Sequence, residues 1–355
     1  MMSTEAAQPT SYSADRRRST NVSDSASDTT IPARRSHSQG RTPWRTERRY
    51  TEIDDHTWKY TLDNETSGGT VVGFGNVRIP SDDNIAKLVD RKLSIRAITW
   101  NINEKPVKIL DFLADHLRQI PENLLEDIIT IALQELPAST TTFHEDALAI
   151  IAKPLQQTHD TYISYRAWSQ MIFLFIRKTH TRFATDPIAK FVPATTLAKV
   201  VRTKGAIGVC LRLYQRWTVI IGCHLTHATA LQRIQDYHKV MRTLKFQTLC
   251  SFKGSDDIFH ADCVLWLGDL NFRITKDTGV NWKLQLHQPN VHDIESTLQN
   301  DELGLVRRKE LAFAEFREAP ITFAPTHKFE LGSNDYVPNR IPSFTVTFYA
   351  LEQTN

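Results

Sequence analysis

The chain has 355 residues, 41% of them hydrophobic, with 43 Lys or Arg against 40 Asp or Glu. That is enough for one large core or two smaller ones. A net charge of +3 is too near neutral to argue for nucleic acid. No apolar stretch approaches the ~18 residues of a membrane span, and the N-terminus lacks an apolar signal core. The excess positive charge is uneven: residues 1–50 hold nine Arg and no Lys against five Asp or Glu. The four cysteines, Cys210, Cys223, Cys250 and Cys263, include no CxxC pair, which argues against zinc. Their flanks predict buried, reduced thiols and a reducing compartment.

Residues 1–50 are rich in Ser, Thr, Arg and Pro and nearly devoid of large aliphatic residues. Such a segment cannot bury enough apolar surface to offset its ordering entropy, so a disordered tail is expected. Its Arg-Ser runs at 16–19 and 34–36 suit phosphorylation or contact with anionic lipid, and equally a solvated tail without a defined role. Residues 51–90 are transitional, with Gly68-Gly69 and Pro80 interrupting the hydrophobic pattern. SIRAITW (94–100) alternates and is β-branched, a strand. VKILDFLADHL (107–117) has helical spacing. DIITIALQEL (127–136), MIFLFIRK (171–178), WTVIIGCHL (217–225) and DCVLWLGDL (262–270) are apolar runs that read as buried strands. ALQRIQDYHKVMRTLKFQTL (230–249) reads as one long amphipathic helix.

Several of these strands end in polar residues: Asn101, Glu135, His224, Asp269 and, just beyond, Asn271. Strand ends are where α/β scaffolds place chemistry, because the sheet aims the side chains and the loops leave room for substrate. The set contains no serine nucleophile elbow and no cysteine paired with a base. Carboxylate and amide oxygens are hard ligands that suit Mg²⁺, which takes one or two carboxylates and keeps water and substrate phosphate in its remaining positions. Such a set supports metal-assisted hydrolysis of a phosphate ester. Singly each residue is commonplace; the strings around them are more specific.

TWNIN (99–103), LQEL (133–136), KGAIGV (204–209), CHLTH with RIQDY (223–227 and 233–237), WLGDLNFRI (266–274) and ITFAPTHKFELG (321–332) resemble, in order, the motifs of the inositol polyphosphate 5-phosphatases. MIFLFIRK, TKGAIG and RIPSFT look most similar to the type IV, phosphoinositide-preferring branch. The resemblance covers about 93–345 and places a catalytic domain in 91–355. It implies an α/β (α+β) fold of the DNase I-like kind: a four-layer sandwich of two packed mixed β-sheets flanked by helices. It also implies roles. Glu135 would hold Mg²⁺ with Asn101 beside it, His224 would contact the scissile phosphate, and Asp269 would help activate water that Asn271 orients. Lys328 would read a 4-phosphate, and Arg340 would add to phosphate binding. Lys204 is open between a phosphate contact and a surface lysine before a glycine turn.

The same resemblance sets expectations about partners and about departures. Substrates would be phosphoinositide lipids or soluble inositol polyphosphates, met by a cytoplasmic monomer at the cytosolic face of a membrane. Nucleic acid is not expected, given the neutral body and the Lys328-Phe329 string. His327 stands where the family has Tyr, and Pro338 where a basic residue is expected. After Thr345 the family continues with Asp-Arg, an apolar strand and later Ser-Asp-His. Here Val346 and Thr347 follow, and the sequence reads to Asn355 without that motif. Incomplete C-terminal strands, an unpaired edge on the preceding strand and impaired catalysis are therefore expected, with a lipid-binding or regulatory role as the alternative to turnover. VTFYA (346–350) is β-prone enough to occupy part of that edge.

Overall fold

The computed structural model describes residues 62–63, 70–71, 77–78, 80–88, 92–138, 142–194, 204–330 and 333–352. The chain divides into units 1–53 and 54–355, and all described residues belong to the second. The expected disordered tail and most of the transitional segment lie outside the described residues.

Among the described residues nine strands form two sheets. We number them β1 (Ile95–Asn101), β2 (Ile128–Gln134), β3 (His159–Ala167), β4 (Gln170–Arg177), β5 (Ile188–Pro193), β6 (Gly205–Leu213), β7 (Arg216–His224), β8 (Cys263–Asp269) and β9 (Val346–Glu352). One sheet has the order β1-β2-β4-β3 and the other β9-β8-β7-β6-β5. Each is mixed: β1 is parallel to β2 and β7 to β8, and the remaining pairings are antiparallel. Two further dipeptides, Leu62–Asp63 and Thr70–Val71, pair antiparallel.

The apolar runs are explained by burial on both faces. Ile128, Ala132, Ile172 and Leu174 from one sheet pack with Ile207, Val209, Ile220, Leu265 and Leu267 from the other. The opposite face of β2 and β4 buries Ile129, Ile131, Leu133, Phe173 and Phe175. Against it lie helices α1 (Asp111–Gln119) and α2 (Phe143–Ala152), through Leu113, Leu117, Ala147 and Ile151. The outer face of β7 and β8 packs on α3 (Ala230–Thr243), α4 (Gln247–Lys253) and α6 (Glu302–Arg308). Helix α5 (Val291–Leu298) contributes Ile294 to a smaller cluster with Trp282 and Ala324. The layers run helix, sheet, sheet, helix, as the resemblance implies. No helix among the described residues is long and apolar enough to cross a membrane.

Two expectations are corrected. The single helix over 230–249 is two helices. Helix α3 begins at the Thr229 cap, whose hydroxyl accepts from Gln232 N at 3.2 Å, and ends at Leu244 in extended backbone. Leu244 is wholly buried, and a Cβ on Gly208 would lie 2.5 Å from its Cδ2. Docking Leu244 onto that glycine outweighs one more helical turn, and a second helix starts at Gln247. The cysteines divide as well: Cys210 and Cys223 are buried, whereas Cys250 and Cys263 are half-buried, all as free thiols.

The expected unpaired edge on β8 is also not found. All seven residues of β9 pair with β8, from Asp269 opposite Val346 to Cys263 opposite Glu352. VTFYALE is β-branched and aromatic, so it fits a pleated surface. Its anchor is Tyr349, fully buried against Phe313 (ring centroids 5.5 Å apart) with the Arg307 guanidinium 4.7 Å over its ring. Tyr349→Ala is expected to lower the unfolding free energy by about 3 kcal/mol in a urea titration. A loss under about 1 kcal/mol would show that this strand is dispensable to the core.

Candidate active site

Strand register gathers the polar residues. In the parallel pair β1–β2, Asn101 lies opposite Gln134, and the chain leaves β2 through Glu135 in a left-handed conformation (φ 53°). In the other sheet His224 ends β7 opposite Asp269 at the end of β8. His224 also pairs with Gly205, so Lys204 enters beside it. Gly268 allows β8 this close approach: its φ is 146°, and a Cβ there would meet the Cys223 carbonyl oxygen at 2.1 Å. Asn101 joins the sheets, its Nδ2 donating to Asp269 Oδ2 at 3.0 Å.

Asn101, Glu135, Lys204, His224, Asp269 and Asn271 therefore form one cluster. Lys204 Nζ lies 3.5 Å from Glu135 Oε1 and donates to the His224 ring. It is not the surface lysine that its sequence context allowed, because only 14% of its side chain is exposed. His224 Nε2 is 3.7 Å from Glu135 Oε1 and 3.5 Å from Asp269 Oδ2. Burial dominates over these carboxylates, and with the ammonium of Lys204 and nearby His227 it holds the imidazole neutral. Burial also raises the Asp269 carboxyl above the usual range, against the lowering influence of Asn101, Lys204 and Arg273. For Lys204 burial lowers the ammonium's proton affinity while Glu135 and Asp269 support its charge.

Asn271 continues the network outward. It sits at φ 59°; its backbone N–H donates to Asp269 Oδ1 (3.1 Å) and its Nδ2 to the Leu225 carbonyl (3.0 Å). Its Oδ1 accepts from Arg273 Nη2 at 2.8 Å. Arg273 was not singled out in the sequence, although it stands two residues beyond Asn271 within WLGDLNFRI. Its Nη1 lies 2.6 Å from His327 Nδ1, and its backbone N–H donates to Glu302 Oε2 at 2.9 Å. Glu302 in turn pairs with the buried Arg233 at 2.5 Å. Nothing in the local pattern marks Glu302.

Lys328 and Arg340 do not join the inner cluster. Both are exposed, on a loop folded back by the pairing of His327 with Ser343. They belong to the same electrostatic neighbourhood, since Arg273, Lys328 and Arg340 all act on His327.

The donor set fits a hard cation. Glu135, Asp269 and the Asn101 amide offer oxygens, and the ammonium of Lys204 already occupies a cation's position among them. Among the described residues no group of three or more His, Cys, Asp or Glu forms a metal cage. An ion held by one or two carboxylates, with substrate oxygens and water completing its shell, needs none.

His327 gives this region a pH signature. Burial, followed by Arg273, Lys328 and Arg340, pushes its imidazole from the usual 6.5 to about 3. An imidazole neutral in the folded protein but protonating near 6.5 in the unfolded chain costs stability as the pH falls from 6.5 toward 3. The unfolding free-energy difference between wild type and His327→Gln should be flat above about pH 7.5. From about pH 6 to about pH 4 it should move against the wild type by about 1 kcal/mol per pH unit. A difference independent of pH would place this imidazole in open solvent.

The chain is 28% identical over 255 residues to inositol polyphosphate 5-phosphatase K of Mus musculus, covering 69% of this chain and 52% of that protein. It is 27% identical over 271 residues to phosphatidylinositol polyphosphate 5-phosphatase type IV of Pan troglodytes, covering 72% and 40%. It thus spans about half or less of the length of these relatives. Among solved structures it superposes on the inositol polyphosphate 5-phosphatase domain of SPsynaptojanin, in complex with inositol (1,4)-bisphosphate and calcium ion. That match has a TM-score of 0.61 at 20% identity, covering 74% of this chain and 76% of that one. A ferrous NO complex of Cimex nitrophorin superposes with a TM-score of 0.52 at 17% identity, covering 73% and 87%. Both likenesses show the shared fold. Residues 98–353 match the family described as Endonuclease/Exonuclease/phosphatase family 2, and the chain belongs to that family.

Proposed function

We propose that the chain is a phosphomonoester hydrolase that removes the 5-phosphate from phosphoinositides such as phosphatidylinositol 4,5-bisphosphate and 3,4,5-trisphosphate. The observation that carries this reading is the convergence of Asn101, Glu135, His224, Asp269 and Asn271 at one end of both sheets. Relatives named as phosphatidylinositol 4,5-bisphosphate 5-phosphatase A and phosphatidylinositol 3,4,5-trisphosphate 5-phosphatase 1 support it. Mg²⁺ is the proposed metal, held by Glu135 with Asn101 beside it; when bound it supplies charge neutralisation at the phosphate. His224, as a neutral imidazole, donates a hydrogen bond to a phosphate oxygen. Asp269, a buried carboxylate of raised proton affinity, takes the proton of the attacking water. Asn271 is held by three hydrogen bonds in the orientation it presents to water or phosphate. Lys204 binds a phosphate oxygen. Lys328 and Arg340, exposed beside His327, receive a second phosphate on the ring. The protein would work as a cytoplasmic monomer touching the cytosolic face of a membrane.

A second reading, phosphoinositide binding without turnover, is favoured by one observation. Val346 lies opposite Asp269 in the β8–β9 ladder, where the family pattern has a carboxylate. Phosphate release from phosphatidylinositol 4,5-bisphosphate vesicles with Mg²⁺ decides between the two: turnover supports the first reading, and saturable vesicle binding without release supports the second.

In the active protein Glu135→Gln is expected to lower kcat/KM by at least about a hundredfold and to weaken Mg²⁺ binding. Lys328→Ala is expected to raise KM about tenfold on substrates with a 4-phosphate and to leave others unchanged, because it removes binding to a group that does not react. Equal losses on both substrate types would remove Lys328 from the second phosphate site.

A further inference from the structure

The position of Lys204 bears on how the metal enters. Its backbone is fixed on both sides: Gly205 pairs with His224, and the Lys204 carbonyl accepts from Ala194 N at 3.0 Å. The side chain therefore projects into the cluster. Its ammonium sits 3.5 Å from Glu135 Oε1, hydrogen-bonded to the neutral His224 ring, and within electrostatic reach of the buried Asp269. Here Lys204 is the positive charge between two carboxylates. A divalent cation on Glu135 would stand beside that ammonium, whose side chain is only 14% exposed, so the repulsion between the two like charges is only partly screened.

We propose that Lys204 is an internal counter-ion that competes with the divalent cation for Glu135, so that metal binding releases its ammonium toward the substrate phosphate. This rests on the reading of Glu135 as the metal carboxylate. Four methylene groups let the ammonium move while the strand stays fixed. Without metal, Lys204 offsets the carboxylate charge and keeps the cluster assembled. With metal on Glu135, the displaced ammonium gains a new partner only when a phosphate arrives. Metal occupancy and phosphate binding are then coupled through one side chain, and the coupling is reciprocal.

Isothermal titration calorimetry of the full chain with Mg²⁺ alone tests the proposal in wild type, Lys204→Met, Lys204→Gln and Lys204→Arg. Both neutral variants are expected to bind Mg²⁺ at least tenfold more tightly than wild type, and Lys204→Arg to stay within about threefold of it. On a Glu135→Gln background, Lys204→Met should no longer tighten binding. Melting temperatures give a second readout: Mg²⁺ should raise that of Lys204→Met by more than that of wild type. Equal or weaker Mg²⁺ affinity in both neutral variants would overturn the competition while leaving Glu135 as a metal ligand. Mg²⁺ binding that is unaffected by Glu135→Gln would overturn the metal reading and the competition together.

Discussion

The site rests on one electrostatic constraint. Two carboxylates and an imidazole are brought to the junction of two sheets, and Asp269 is almost fully buried there. A buried charge without compensation costs several kcal/mol, so the surrounding structure must supply opposite charge and hydrogen bonds. Lys204 supplies the charge from the start of β6. Asn101 supplies a hydrogen bond from the other sheet, and the Asn271 backbone another from the loop beyond β8. The Asn101–Asp269 bond fixes the relative position of the sheets at the site, and Gly268 permits the close approach of β7 and β8 that aligns His224 with Asp269.

From that centre an ordered path runs outward: Asp269 to Asn271, Asn271 to Arg273, Arg273 to His327, and so to the exposed Lys328 and Arg340. Arg273 is held from behind by Glu302, and Glu302 by Arg233, whose guanidinium lies 4.9 Å from the centroid of the Phe272 ring. Hydrogen bonds in such a chain polarise one another. Lys328 and Arg340 act electrostatically on its outer end, His327. The nitrophorin likeness makes a complementary point. A shared sandwich does not decide chemistry; the polar residues at its strand ends do.

The C-terminal strand has two consequences. By pairing along all of β8 it covers that strand's edge and becomes the edge strand of the sheet itself, and through Tyr349 it joins the aromatic cluster of Tyr237, Trp266, Phe313 and Phe316. The same register puts the apolar Val346 opposite Asp269. This strand thus covers β8 without adding an ionisable group opposite Asp269.

Local pattern was enough to mark five of the nine described strands, β1, β2, β4, β7 and β8, while the motif strings named the inner residues and implied the layered fold; β3, β5 and β6 were not marked. Apolar runs such as IITIALQ and MIFLFIR leave no choice but burial on both faces, and the motif strings put Asn101, Glu135, His224, Asp269 and Asn271 at strand ends. Even RIQDY was legible as a motif. Only the tertiary structure assigned its jobs: Arg233 on Glu302, Asp236 accepting from Thr226 N, and Tyr237 against Trp266. The tertiary structure also decided that Lys204 is buried, that Leu244 ends a helix and that Arg273 spans Asn271 and His327. Each of these depends on a partner distant in the chain: Glu135 for Lys204, Gly208 for Leu244 and His327 for Arg273. Local periodicity reports which face of an element is apolar. It carries no information about which distant group will neutralise a charge or fill a groove, because that is settled only when the sheets close on each other.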